Sequence, residues 1–211
     1  MPVDSLLLRS SAVAVAIRNH RLIAVLRRIA PRERLLQLVD ELAADGVRIF
    51  EITFDAVDAA ADLRAVRAHL GETGWVGAGT IRTTDQLRAA IGAGAVFGVS
   101  PVLDPAVLDA ALAAGLPFVP GAYSPTEIDG AWRAGATFVK LFPGSSLGPS
   151  HIRELRGPLP EVETIVTGGV DASNAVAFLA AGAVAVGIGS AIGRLTSDQR
   201  RTLVADIGAI R

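Results

Sequence analysis

The 211-residue chain has no cysteine, and its single methionine, single tyrosine and two tryptophans make it poor in large reactive side chains. Without cysteine, disulfides, thiolate nucleophiles and Cys-based metal sites are excluded, and the composition suits a reducing compartment such as the cytoplasm. An excess of either charge is also missing, because 20 basic and 21 acidic side chains leave a net charge of −1. That balance gives no electrostatic reason to expect nucleic acid or an anionic membrane as partner. A secretory signal does not form: Asp4 precedes Leu6-Leu7-Leu8, and Arg9 and Arg18 interrupt the apolar stretch. The long uncharged stretch between Asp171 and Arg194 carries Gly182, Gly187, Gly189 and Gly193, which fit a helix, a turn and a buried strand better than a membrane span. His20, His69 and His151 are scattered without metal-ligand spacing and read as surface residues. No Asp/Glu cluster suggests a divalent cation, so neither a metal nor a cofactor is expected.

What is present is a repeating pattern. Apolar runs at Leu22–Arg27, Val47–Thr53, Trp75–Thr80, Val96–Pro101, Pro117–Ala122, Thr137–Phe142, Thr164–Gly168 and Val184–Gly189 read as strands. Helical patterns separate them at Arg32–Asp45, Ala56–Leu70, Thr84–Ala93, Pro105–Ala114, Pro125–Ala134 and Ala172–Ala181. Most of these stretches end at a glycine (Gly46, Gly71, Gly94, Gly115, Gly135, Gly182), the residue that supplies a left-handed helix cap. Strands alternating with helices imply right-handed crossovers and a parallel sheet. Eight such units in this length predict an α/β fold, a compact (β/α)8 or TIM barrel, with a doubly wound open sheet as the alternative. Residues 4–19 read as an extra amphipathic helix closing the barrel floor. The chain is expected to be one domain: an N-terminal helix over 1–20, the barrel core over 21–195 and a C-terminal helix over 196–211.

In such a barrel the reacting groups stand at the C-terminal ends of the strands. Nineteen of the 20 basic residues are arginine, and Lys140 is the only lysine. A lysine that survives such a bias is expected to need what arginine lacks, an amine that can lose its proton and attack a carbonyl. Alternation puts Phe138, Lys140 and Phe142 on one face of an apolar strand, where desolvation would lower the ammonium pKa. A snorkelling or structurally paired lysine is the plainer reading. Ile49, Glu51 and Thr53 likewise share a face, and a carboxylate there is costly unless paired or used. Glu51 is therefore a candidate proton shuttle, or a structural ion-pair partner of Lys140.

The ends of the last two strands, Thr167-Gly168-Gly169 and Gly187-Ile188-Gly189-Ser190, suit a phosphate site of backbone N–H groups, although simple tight turns would also use glycine. Thr80 reads as a hydroxyl for a substrate oxygen. Arg27 is a candidate clamp for a carboxylate or phosphate; with Arg28 beside it, one of the two is expected to point at solvent, so a surface arginine is the counter-reading.

These motifs together resemble a known family. Gly46-Val-Arg-Ile-Phe-Glu-Ile-Thr53, Gly77-Ala-Gly-Thr80, Ser100-Pro101, Val139-Lys-Leu-Phe-Pro143 and Thr167-Gly-Gly169 are similar to the 2-keto-3-deoxy-6-phosphogluconate (KDPG) aldolases. That family includes the 4-hydroxy-2-oxoglutarate (KHG) and 2-keto-3-deoxy-6-phosphogalactonate aldolases. The similarity runs from about Leu22 to Ile192 with motifs in order. It implies a trimeric barrel of sugar-acid metabolism that works without metal. It also implies a small-molecule keto acid substrate, cleaved to pyruvate and an aldehyde such as glyceraldehyde 3-phosphate. By position, Lys140 matches the Schiff-base lysine and Glu51 the general acid/base. Thr80, Pro101 and Phe142 match the pyruvyl pocket, while Thr167, Gly168, Gly169, Gly189 and Ser190 match the phosphate end. Arg27 matches a strand-one arginine found in part of the family. Asp55 departs from the pattern, because many members have an arginine there that contributes to carboxylate binding. A phosphosugar isomerase or synthase with Lys140 as an electrostatic residue, and a non-catalytic phosphosugar-binding homologue, are the rival readings.

Overall fold

Short parallel strands, each followed by a helix, wrap into a closed sheet in the computed structural model, which describes residues 5–210. Residues 1–4 and 211, the outer ends of the two expected terminal helices, lie outside the described residues. After α1 (Ser5–Arg9) and α2 (Ala12–His20), the chain runs β1 (Leu22–Leu26), α3 (Arg32–Ala44), β2 (Ile49–Thr53), α4 (Ala59–Leu70), β3 (Trp75–Gly79) and α5 (Thr84–Gly92). It continues through β4 (Gly98–Val99), α6 (Pro105–Ala113), β5 (Phe118–Val119), β6 (Gly121–Ala122), α7 (Pro125–Arg133) and β7 (Val139–Leu141). The last part is α8 (Gly144–Leu155), β8 (Thr164–Thr167), α9 (Ala175–Ala180), β9 (Ala185–Ile188), a 3-10 turn at Ile192–Arg194, and α10 (Ser197–Ala209).

Segments β5 and β6 are two halves of one barrel strand. Pro120 separates them, because its ring leaves no N–H for a ladder bond. β5 pairs with β4 through Gly98↔Phe118, and β6 pairs with β7 through Gly121↔Lys140. The Pro120 carbonyl also accepts the Lys140 N–H at 2.9 Å. The interrupted strand thus bonds on both sides and closes the ring, so the nine segments make the eight strands of a (β/α)8 barrel. The open sheet is set aside by that closure. The six glycines expected to cap helices all have φ between 55° and 111°.

Three elements differ from the sequence reading. The single helix expected over residues 4–19 is two helices, because Ser11 caps α2 by accepting the Ala14 N–H while the Ser10 hydroxyl bonds back to the Leu6 carbonyl. A helix the pattern did not disclose, α8, follows β7; Gly144, Pro149 and a kink at Gly148 (φ 71°) hide its periodicity. The strand expected over Val96–Pro101 keeps ladder geometry only at Gly98–Val99. The uncharged stretch from Asp171 to Arg194 forms α9, β9 and the 3-10 turn, and among the described residues no helix is long and apolar enough to cross a membrane.

Period-two alternation divides the core into two layers. Ile23, Ile49, Phe97, Val99, Val119, Phe138, Ile165 and Ala185 fill the barrel interior, and Val13, Ala14, Ala16 and Ile17 of α2 close its floor. The alternate residues, such as Leu22, Ala24, Phe50 and Ile52, pack outward against the helices. The barrel is therefore plugged at its N-terminal end and open only at the C-terminal end.

Helix α10 is fastened by charge. Asp45, just past α3, has a side chain only 3% exposed and meets the Arg200 Nε at 2.5 Å. It also meets Arg201 at 3.3 Å and accepts a bond from the Ser197 hydroxyl. Burial pushes the Asp45 carboxyl up, but bonds from Ser197 and Arg200 and the charges of Arg200 and Arg201 outweigh it and hold the group below its ordinary value. Asp45→Ala should cost about 3 kcal/mol by leaving the buried Arg200 only Glu41, at 3.7 Å, as a charged partner, read as a lower denaturant midpoint. A depressed folded-state pKa adds stability above the unfolded value of about 3.9, lost as pH falls through the folded one. The stability gap between the unsubstituted chain and Asp45→Asn should therefore be flat above about pH 5 and narrow below about pH 4.

Candidate active site

Above the apolar floor the interior turns polar. Register puts Glu51 beside Val25 on one side and Gly77 on the other, and Lys140 between Gly121 and Ile165. Lys140 is 5% exposed and Glu51 1%, so neither charge is solvated as it would be in water. The space for them comes from glycine: a Cβ on Gly79 would overlap the Glu51 carboxylate. The same holds for Gly187, where a Cβ would overlap the Thr167 methyl. The Glu51 Oε1 and Thr167 Oγ1 atoms are buried with no hydrogen-bond partner among the described residues. Native interiors rarely leave such atoms unpaired unless something else binds there.

Desolvation lowers the Lys140 amine from its ordinary value, with the charge of Glu51 opposing the shift and that of Arg27 adding to it. Burial raises the Glu51 carboxyl, against the pull of Lys140 and Arg27. The two groups thus influence one another without forming a direct ion pair among the described residues, so the structural salt bridge considered above is absent. The Lys140 Nζ lies 5.0 Å from the centre of the Phe142 ring, within range for a cation–π contact when it is charged.

A cleft of about 450 Å³ opens over Lys140 at the C-terminal end of the barrel. Arg27, Lys140, Phe142, Thr167, Gly168, Gly169, Gly189 and Ser190, all expected from sequence, line it. Glu51, Thr80 and Pro101 do not line it. Glu51 lies in the wall beneath. Thr80 accepts from the Arg27 Nη2 at 3.2 Å, and the Pro101 carbonyl packs on Gly121 beside the lysine strand. Arg27 follows β1 rather than ending it, and its Nη1 bonds the Asp55 Oδ2 at 2.6 Å. Arg28 also pairs with Asp55, at 3.1 Å, and is the more exposed of the two arginines, 65% against 50%.

The Gly-rich end behaves as the pattern suggests in backbone terms, since Gly168 and Gly169 have φ of 85° and 77°. Sequence reasoning missed Arg194, which lines the same end and donates to the Ser190 hydroxyl at 3.1 Å. Its place four residues after Ser190, across one 3-10 turn, was the available signal. The histidines stand apart from the cleft: His69 bonds Asp40, and His151 has a buried Nε2, so only part of the surface reading holds.

The family model "Aldolase: KDPG and KHG aldolase" matches residues 13–207. The chain belongs to the KDPG and KHG aldolase family. It is 34% identical over 192 residues to the probable 2-dehydro-3-deoxy-6-phosphogalactonate aldolase of Rhizobium meliloti, covering 89% of this chain and 90% of that one. The 2-dehydro-3-deoxy-phosphogluconate aldolase of Treponema pallidum is 36% identical over 149 residues, 70% of each chain. Among solved structures, the KDPG aldolase of Legionella pneumophila superposes with a TM-score of 0.81 at 25% identity over 95% of this chain and 98% of that one. It is described with pyruvate captured at low pH as a covalent carbinolamine intermediate.

Competitive labelling with acetic anhydride tests the electrostatics of this site, because one lysine makes peptide mapping unambiguous. The Lys140 amine is expected to titrate below the ordinary value of about 10.4. Glu51→Gln removes a charge that raises it, so in that variant the midpoint should fall further; a midpoint that rises contradicts the arrangement.

Proposed function

We propose that the chain is a class I aldolase. It cleaves a 2-keto-3-deoxy-6-phospho sugar acid, of the phosphogluconate type, to pyruvate and glyceraldehyde 3-phosphate through a Schiff base on Lys140. The 4-hydroxy-2-oxoglutarate and phosphogalactonate reactions are the alternatives within the same chemistry. The observation that carries the reading is a sole lysine, desolvated in the barrel wall and lining the open cleft, with a buried glutamate whose Oε1 has no partner among the described residues and whose charge acts on the amine. Family membership supports it.

A lowered pKa enlarges the neutral fraction of the Lys140 amine, and the free amine attacks the C2 carbonyl. Glu51, its carboxyl raised by burial, gives its proton through a water to the departing hydroxyl, and loss of water leaves an iminium ion. The Glu51 carboxylate then takes the C4 hydroxyl proton, again through water, as the C3–C4 bond breaks and the bonding pair moves into the iminium to leave an enamine. The aldehyde departs, C3 regains that proton from Glu51, and water adds to the iminium carbon, its proton passing to Glu51, to release pyruvate and the neutral amine. In this reading Phe142 lines the pyruvyl end, with Thr80 and Pro101 supporting its wall. Arg27 meets the carboxylate, while Thr167, Gly168, Gly169, Gly189, Ser190 and Arg194 form the phosphate end.

Borohydride reduction in the presence of pyruvate should fix a pyruvyl group on Lys140, located by peptide mapping. Lys140→Arg should remain folded and lose both the adduct and turnover; an adduct formed only at the N-terminus would overturn the mechanism. Arg194→Ala should raise KM for a 6-phosphorylated substrate by about tenfold, the loss of a charged hydrogen bond, and leave an unphosphorylated keto acid unaffected. Equal losses on both would remove Arg194 from the phosphate end.

A further inference from the structure

An acid at the mouth of a pocket for anions is unexpected, and Asp55 is such an acid. Its side chain is 17% exposed and lies between two arginines, at 2.6 Å from Arg27 and 3.1 Å from Arg28, both through Oδ2. Arg27 uses its other terminal nitrogen on the Thr80 hydroxyl at 3.2 Å. The guanidinium is thus held at two points while half exposed over the cleft that contains Lys140.

Two residues of this cluster sit on unusual backbone. Arg28 has φ 49° and Thr80 has φ 58°, a region that bulky and β-branched residues rarely occupy. Such conformations persist where the surroundings hold them, often at ligand clamps. A guanidinium has five N–H donors, and the two bonds described leave three for a ligand. Two arginines and one aspartate leave the group with a net positive charge. Asp55 therefore does not present a bare negative charge to an incoming anion.

We propose that Asp55 is a positioning residue: with Thr80 it fixes the Arg27 guanidinium as the clamp for the substrate's carboxylate, and Arg28 supplies the charge that Asp55 cancels. The proposal rests on the aldolase reading and specifies how its carboxylate end is built. A free arginine side chain must lose its rotamer freedom when it grips a ligand, whereas one already tied loses little. Removing Asp55 therefore weakens carboxylate binding more than it slows the chemistry at Lys140.

The test is the pyruvate dependence of borohydride trapping on the full chain, with folding checked by circular dichroism. Asp55→Asn should raise the half-saturating pyruvate concentration five- to tenfold, more than it lowers the limiting rate. Trapping of acetone, a ketone without a carboxylate, should change less than twofold. Adding Asp55→Asn to Arg27→Ala should bring no further rise in half-saturation, because Asp55 acts on the carboxylate through Arg27. Arg27→Lys, which keeps the charge but cannot reach both anchors, should show the same carboxylate-selective loss and serves if Asp55→Asn does not fold. A lowered or unchanged half-saturation in Asp55→Asn, or fully additive losses, would overturn the role of Asp55. Failure of the unsubstituted chain to form a pyruvyl adduct is a separate result, which would remove the aldolase reading and this inference together.

Discussion

Everything distinctive about this barrel depends on keeping one amine out of water. The Lys140 amine is shifted toward its neutral form because the interior around and below it is dry: Phe138, Ile165, Phe97 and Ile49 fill the interior and α2 seals the floor. If water entered from beneath, solvation would restore the ammonium and the shift would vanish. The extra N-terminal helix is therefore part of the electrostatics of a site at the opposite end of the barrel. Glu51 obeys the same constraint with opposite sign, since the dryness that disfavours an ammonium also disfavours a carboxylate. Burial thus moves the acid up and the amine down, which narrows the gap between them and eases proton exchange through the site.

That constraint also explains the glycines lining the interior. A barrel of this size fills its centre with side chains, leaving no room for a substrate unless some strands contribute none. Gly79 yields its volume to the Glu51 carboxylate, Gly187 to Thr167, and Gly77 to the Phe97 ring. The first two open polar space near the mouth, while the third is refilled by an aromatic side chain lower down. The taper from packed floor to open cleft is written in which inward positions carry a side chain.

The barrel and its reactive pair were readable from sequence because both rest on local periodicity. Alternation orients Lys140 and Glu51 inward regardless of neighbours, and the rarity of lysine marks the first of them. The helix cap glycines were equally legible, since positive φ is a local demand. Periodicity fails where the chain is irregular. It misses the kinked α8, splits the N-terminal helix at Ser10–Ser11 only in hindsight, and overextends the strand around Gly98. Contacts between separate loops were out of reach. The joining of Arg27, Asp55 and Thr80 spans the ends of three strands, and only closure of the sheet brings them together. Arg194 was missed for a related reason, because a single 3-10 turn leaves no periodic trace.

The cleft mouth shows a common logic at both ends. Arg27 is tied to Asp55, and Arg194 is tied to Ser190 while its charge acts on nearby Asp171. An exposed arginine alone offers charge but no fixed direction, and ordering it costs binding energy. A neighbouring acid or hydroxyl surrenders some of that charge and gains a defined orientation. The cost in charge is small in a cleft whose floor is apolar, because unscreened attraction to an anion remains strong there. Orientation is what a C–C cleavage needs, since the scissile bond must stand parallel to the iminium π system for its electrons to flow. Two anchored arginines lining one cleft would hold a substrate with a carboxylate and a phosphate in that alignment above Lys140.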